Sequence, residues 1–301
     1  MKILMTGASG FVGRALSLQL QQEGHQLVAL TRNAERARSV LGEDVQIVSM
    51  AEFDLGLREA LFRVDAVINL AGEPVVGKRW SQAQKSRLRE SRVDLTGRLV
   101  ELLAKLPSPP ATLISASAVG FYGERVDEPV EVDAQPGTGF LAQLCADWER
   151  EALKAESLGT RVVTLRTGIV LGAGGGALPR LLPAFRLGLG GRIGDGQQVM
   201  PWIHLQDLIH IIVAALNESS IRGAINAVSP NPVTNLEFTQ SLGQALQRPT
   251  AIPVPAALLR LAMGEAASVL LGGQRAIPSK MLAGGFEFQF ATLQKALGDL
   301  V

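Results

Sequence analysis

MKILMTGASGFVG (residues 1–13) opens the chain, and its reading decides the fold. The apolar run KILMT (2–6) reads as a strand. Gly7, Gly10 and Gly13 interrupt it, and an amphipathic stretch with Leu16 and Leu20 follows. A strand, a turn with regularly spaced glycines and a helix together make a cradle for a dinucleotide. Gly7 permits the sharp turn, Gly10 lets main chain approach a pyrophosphate, and Gly13 lets the helix pack close to the strand. The helix N-terminus offers N–H groups and a positive dipole end to phosphate. Ser9, Phe11 and Val12 lie in the same loop and join the glycines as expected cofactor contacts. The competing reading is an ordinary glycine-rich turn.

Outward from this loop, short apolar runs alternate with helical stretches. QLVAL (26–30), VQIVS (45–49), VDAVINL (64–70), ATLISAS (111–117), RVVTLRT (161–167) and GAINAVS (223–229) read as further strands. Their nearly continuous apolar character suits parallel strands covered on both faces. Helices are expected at about 11–23, 34–41, 81–105, 140–157 and 205–217. The alternation predicts an α/β fold: a Rossmann-type doubly wound parallel sheet of about seven strands with right-handed crossovers. The pattern breaks after Thr167. Residues 171–204 and 231–301 are expected to form a smaller C-terminal substrate lobe over a dinucleotide domain made of 1–170 and about 205–230. Within that lobe, the glycines at 174–176 and a helix at 178–190 are expected to act as a hinged lid.

Composition narrows the function. Of 301 residues, 47% are hydrophobic and 19% charged, and the formal net charge is +1 with no long block of one sign. That argues against nucleic acid and anionic membrane as main partners. The single cysteine, Cys145, excludes an internal disulfide and favours a reducing compartment. No membrane span or secretory signal is evident, so a cytoplasmic protein is expected. His25, His204 and His210 are scattered, so no metal site is expected.

The second strand ends in Thr31 and Arg32, with Arg36 nearby. An NAD-selective site would carry Asp or Glu there for the ribose 2′-hydroxyl. A guanidinium instead pairs with a 2′-phosphate, so the expected cofactor is NADP(H). The alternative is that Arg32 is a solvated residue at a helix start.

Several later stretches, with TGASGFVG, resemble the extended short-chain dehydrogenase/reductase (SDR) superfamily. Asn69-Leu70-Ala71-Gly72 is similar to its N-x-A-G element, which implies that Leu70, Ala71 and Gly72 leave room for the cofactor. Arg92, in Arg92-Val93-Asp94-Leu95-Thr96-Gly97, stands where the family has a cofactor-facing Asn; the alternative is a helix-surface charge. SASAVGFYG (115–123) resembles the S-S-x-x-V-Y-G element, which implies a carbonyl-binding role for Ser117. Arg166-Thr-Gly-Ile169-Val-Leu-Gly172 resembles the stretch that passes the nicotinamide, implying cofactor contacts for Arg166 and Ile169. In PWIHLQD (201–207), Pro201 replaces the first Asp of the family pattern, and His204 reads as structural.

The family's Tyr and Lys, four apart on one helix, supply acid and base. If Glu149 in FLAQLCADWE (140–149) is the glutamate that follows them, Leu141 and Cys145 occupy their places. The only tyrosine, Tyr122, has Val126 four residues later. The chain thus resembles an atypical SDR subgroup of NAD-dependent epimerase/dehydratase-like proteins, whose short C-terminal domain of unknown function is similar to QRAIPSKMLAGGFEFQFATLQKAL (274–297). Two functions stay open. One is an NADP(H)-dependent oxidoreductase or epimerase-like enzyme on a small molecule, with Tyr122 as replacement acid and Glu73, Lys78 and Arg79 binding a substrate anion. The other is a non-catalytic NADP(H) sensor read by a partner. Cys145 is a proton donor only if its thiol reaches the pocket; the alternative is a small buried apolar residue. Family resemblance makes the 81–105 and 140–157 helices candidates for a homodimer interface, although the stripe Leu88, Leu95, Leu99 and Leu102 also fits a core-facing helix.

Overall fold

Every expected strand is present in one sheet. The computed structural model describes residues 1–50 and 63–301. In chain order it begins β1 (Lys2–Thr6), α1 (Phe11–Gln22), β2 (Gln26–Thr31), α2 (Ala34–Leu41), β3 (Gln46–Ser49) and β4 (Ala66–Asn69). Next come α3 (Gln82–Arg89), α4 (Leu95–Leu103), β5 (Thr112–Ala118), β6 (Arg125–Val130), α5 (Phe140–Leu153) and β7 (Arg161–Thr167). Then follow β8 (Ile169–Leu171), α6 (Leu178–Arg186), β9 (Val199–Met200), β10 (Trp202–His204), α7 (Leu205–Asn217) and β11 (Gly223–Ala227). The chain ends with β12 (Val233–Thr234), α8 (Asn235–Leu246), α9 (Ala256–Met263), α10 (Ser268–Leu271), β13 (Gln274–Ala276), α11 (Ser279–Ala283) and α12 (Leu293–Leu300).

The main sheet runs β11-β7-β5-β4-β1-β2-β3 and all its pairings are parallel. Side chains of one strand alternate between the two faces. Ile3 and Met5 therefore join Leu16, Leu20, Leu208 and Ile212 on the α1/α7 side. Leu4 and Val67 join Leu99, Leu102 and Leu103 on the α4 side. Both faces are covered, which is why these strands read as unbroken apolar runs. Leu88, Leu99 and Leu102 are buried, so the leucine stripe of α3–α4 faces the core.

The helix expected over 81–105 is interrupted. Between α3 and α4, residues Glu90–Asp94 form a π-helical turn, an extra-residue bulge of the kind found at functional sites. A third cluster, including Leu178, Phe185, Trp202, Phe238, Phe290 and Leu297, joins α6, α8 and α12. Asp207 at the start of α7 accepts the backbone N–H groups of Gln289 and Phe290 at 2.8 and 2.9 Å, which ties the C-terminal segment to the sheet layers. Among the described residues, no helix is long and apolar enough to cross a membrane.

Candidate functional site

Strand order reverses between β1 and β4, and the crevice outside their carboxyl ends is where doubly wound sheets bind ligands. Gly7 has φ +70°, and a Cβ there would lie 2.7 Å from the Leu70 carbonyl. A Cβ on Gly13 would lie 2.2 Å from the Gly7 oxygen, so α1 packs against the loop only because position 13 is glycine. The Gly10 N–H closes the turn on Gly7 O at 2.9 Å. No side chain caps the α1 N-terminus, which leaves its first turn to serve a ligand. The loop has the shape a pyrophosphate cradle needs, and Ser9, Gly10, Phe11 and Val12 all lie in it.

At the tip of β2, Thr31 Oγ1 accepts the Asn33 N–H at 3.2 Å, and Asn33 caps α2 by accepting the Arg36 N–H at 2.9 Å. This turn leaves Arg32 and Arg36 exposed, and among the described residues no carboxylate occupies the tip. Arg32 is also close enough for its charge to act on Glu73.

Beyond β4, a buried polar clamp fixes the crevice floor. Thr6 donates to Asn69 Oδ1 at 2.6 Å and accepts the Ala71 N–H at 3.1 Å. Asn69 donates to Thr96 and Ser115, and the Trp148 indole also donates to Thr96. The clamp lays Leu70, Ala71 and Gly72 beside Gly7. A Cβ on Gly72 would lie 2.9 Å from the Arg92 guanidinium. The π-helical turn places Arg92 there, and its Nη2 donates to Glu73 O at 2.8 Å. Burial lowers the Arg92 pKa, and no carboxylate among the described residues forms an ion pair with it. Glu73 accepts from Lys78 at 2.8 Å. That bond, with the charges of Lys78 and Arg32, holds the Glu73 carboxyl below the usual range despite partial desolvation.

The residues expected to do the chemistry form a buried network around β5, α5 and β7. Ser117 is paired in register with Arg166 across β5 and β7, and both are buried. A buried guanidinium requires a counter-ion. Glu149 supplies it through two bonds, 2.9 Å from Arg166 Nε and 2.8 Å from Nη2. Ser117 spends its hydroxyl on Glu149 at 2.6 Å. Tyr122 is 0% exposed; it donates to Asn226 at 2.5 Å and accepts from Arg166 at 3.0 Å. Burial raises its pKa further. Arg166 is disfavoured by desolvation, but the Glu149 contacts outweigh that and hold its pKa above the ordinary value. Ser117 and Tyr122, the expected catalytic residues, are thus both members of a buried hydrogen-bonded network. Arg166, expected to contact the cofactor, is the centre of that network. Cys145 is buried as well, beside Leu141 and facing Gly120, and burial with the nearby Glu149 charge pushes its thiol up to about 12.

The glycine-rich stretch after β8 packs against α1. Cβ atoms on Gly172, Gly175 and Gly176 would lie 2.7, 2.6 and 2.9 Å from the Phe11 ring. These glycines form a seat for Phe11, and Arg14 donates to the Gly174 carbonyl at 3.3 Å. Ile169 is partly exposed and its N–H donates to Pro201 O at 2.7 Å. His204 caps α7 by accepting the Gln206 N–H at 3.2 Å and lies 3.7 Å, ring to ring, from Phe290, which is a structural placement.

The structure thus brings the glycine loop, Leu70–Gly72 and Arg92 to one crevice, with Arg32 near its rim, and holds Ser117, Tyr122 and Arg166 in a buried hydrogen-bonded network. Sequence reasoning did not single out Gln84, which is buried and acts on the Glu73 carboxylate.

Residues 3–227 match the model of the NAD dependent epimerase/dehydratase family, and residues 254–300 match a domain of unknown function, DUF1731. The epimerase family protein Mb2239 of Mycobacterium bovis is 42% identical over 297 residues, covering 98% of this chain and 96% of that protein. The crystal structure of the human epimerase family protein SDR39U1 (isoform2) with NADPH superposes with a TM-score of 0.89 at 34% identity, covering 100% of this chain and 99% of that one. UDP-glucuronic acid 4-epimerase from Bacillus cereus superposes over 100% of this chain and 98% of its own with a TM-score of 0.81, and at 21% identity it shares the fold. With its glycine loop, its seven-stranded sheet and these matches, the chain belongs to the NAD dependent epimerase/dehydratase family.

Proposed function

We propose that this chain binds NADP(H) in the crevice between β1 and β4 and acts as an oxidoreductase or epimerase-like enzyme on a small polar molecule held by the loop after β4. One observation carries the reading: the tip of β2 presents Arg32 and no carboxylate, beside a glycine loop shaped for a pyrophosphate. The NADPH held by the human relative supports it.

When bound, NADP(H) supplies a hydride donor or acceptor. Gly7–Gly13 and the α1 N-terminus would hold its pyrophosphate, Arg32 and Arg36 a 2′-phosphate, and Leu70–Gly72 its adjoining face. Hydride transfer to or from a carbonyl requires a matching proton, and the Tyr122 phenol is buried and already donates to Asn226. Lys78 is 58% exposed on its side chain and hydrogen-bonded to Glu73, so the pair is placed to pass that proton at Lys78 Nζ. Arg92 orients the loop through the Glu73 carbonyl.

The test begins with binding. Arg32→Asp is expected to weaken NADPH at least tenfold and NADH less than twofold by calorimetry; equal losses refute the cofactor assignment. Protein loaded with NADPH is then mixed with a small-molecule cell extract while reduced-nicotinamide absorbance is followed. Protein-dependent loss that Lys78→Met abolishes supports the enzyme. The burial of Ser117, Tyr122 and Cys145 favours a second reading, a cofactor sensor. It predicts tight NADPH binding with no turnover in either redox direction.

A further inference from the structure

Exposed large apolar side chains that stand singly need no explanation, but a group of them does. Leu187, Leu189, Ile252, Leu258 and Leu261 are all more than half exposed, Leu187 by 75% and Leu261 by 74%. They sit on adjoining segments of the C-terminal lobe. Gly191 bridges Ala251 and Ile193 bridges Val254. The Val254 N–H donates to Arg192 O at 2.8 Å, and the Gly194 N–H donates to Val254 O at 2.9 Å. A Cβ on Gly188 would lie 3.5 Å from the Pro249 ring. The loop after α6 therefore runs beside residues 249–254, which lead straight into α9. Leu258 and Leu261, three apart, share one face of that helix. No residue of α9 is buried, although AALLRLAM is almost wholly apolar.

The charge on the same segments has one sign. Residues 178–194 and 244–263 hold five arginines and no Asp or Glu. Arg180 turns toward Gly77 in the loop after β4. Arg186, Arg192, Arg248 and Arg260 are exposed, and among the described residues none of the four lies within ion-pair distance of a carboxylate. The net charge of +1 argued against an anionic membrane, but it sums over the whole chain and hides this local excess.

We propose that the loop after α6, residues 249–254 and α9 form a docking face for an anionic lipid bilayer. Aliphatic side chains enter the boundary between headgroups and acyl chains, and the guanidinium groups meet lipid phosphates. A second copy of the chain suits this face less, because a two-fold contact would set the same arginines against one another. A protein partner also suits it less. None of the exposed large hydrophobic residues is aromatic, whereas the anchors of protein interfaces are drawn from Trp and Tyr far more than from Leu. Docking of this kind does not depend on the cofactor reading.

The experiment measures co-sedimentation of the full chain with vesicles of phosphatidylcholine alone and of phosphatidylcholine mixed with phosphatidylglycerol, at low and high salt. Binding to the mixed vesicles is expected, at least tenfold weaker on phosphatidylcholine alone, and reduced by salt. Arg186→Gln and Arg248→Gln should each lower it about fivefold. The pair Leu187→Ser and Leu261→Ser, which leaves the charge unchanged, should lower it about tenfold or more. Lys105→Gln, which removes one charge from the loop after α4, should leave it within twofold. All these side chains are exposed, so melting temperature and NADPH affinity should hold in every variant. Failure to bind mixed vesicles overturns the proposal, as does equal binding to both lipid compositions or binding that neither the arginine nor the leucine variants weaken. A dimer in sedimentation velocity that the leucine pair dissolves, without vesicle binding, would assign the face to a second copy. Binding to poly-glutamate without vesicle binding would assign it to an acidic protein, and either result overturns the proposal. The lipid and salt dependence of the unaltered chain decides the matter even if a variant folds poorly.

Discussion

Tyr122→Phe removes one oxygen from the sealed network between β5 and β7. Asn226 Oδ1 then loses the donor held at 2.5 Å. The amide cannot turn to find another, because its Nδ2 is bonded to the Val130 and Ile277 carbonyls. A buried acceptor left unpaired costs about 1–3 kcal/mol. Arg166 loses its bond to the phenol but keeps those to Val132 and Glu149, so little is added there. The net loss is about 2 kcal/mol. For a chain of 301 residues, with unfolding entropy of about 2.1 cal/mol/K per residue, that corresponds to a fall of about 3 °C in melting temperature. Circular dichroism melts and urea titrations of the two proteins measure it, and NADPH calorimetry serves as the control. Both cofactor affinity and any turnover should survive. An unchanged melting temperature together with lost turnover would return the phenol to the chemistry and refute the network argument.

Three further outcomes are expected. Cys145 has a folded pKa raised from near 9 to about 12, so the unfolded chain ionises first as pH rises. Stability should therefore fall between pH 9 and 12 at up to about 1.4 kcal/mol per pH unit, and Cys145→Ala should flatten urea midpoints across that window; identical profiles would count against a buried thiol. Gly175→Ala places a Cβ 2.6 Å from the Phe11 ring and should cost about 1–3 kcal/mol. Much of that should disappear in a Phe11→Ala background, whereas additive losses in the double-mutant cycle would deny the contact. Asp207→Ala leaves the Gln289 and Phe290 N–H groups unpaired, at about 1–3 kcal/mol each, and limited proteolysis should then cut near residue 289.

The central sheet was legible because burial on both faces writes each strand as an apolar run, and all seven fell where the runs are. The pairs β6–β13, β8–β10 and β9–β12 were not, since every strand in them but the six-residue β6 has only two or three residues, too few for a periodicity, and their partners are remote in sequence. The glycine loop was legible because its contacts are local: Gly7 and Gly13 meet within one turn. The bonding of Ser117, Tyr122 and Arg166 was not legible, because family likeness identifies positions and not what surrounds them. Tyr122 and Asn226 are 104 residues apart, and nothing near either in the chain announces the bond.

The seat that Gly172, Gly175 and Gly176 make for Phe11 bears on how such chains can be recombined. A hybrid that joins the first half of one relative to the later half of another would cut between the ring and its seat, which are about 160 residues apart in sequence. An alanine in the seat or a different residue at position 11 would then meet a partner shaped for something else. Phe11 and the three glycines must travel as one inheritance, and a library of crossovers should lose folded members wherever they are separated.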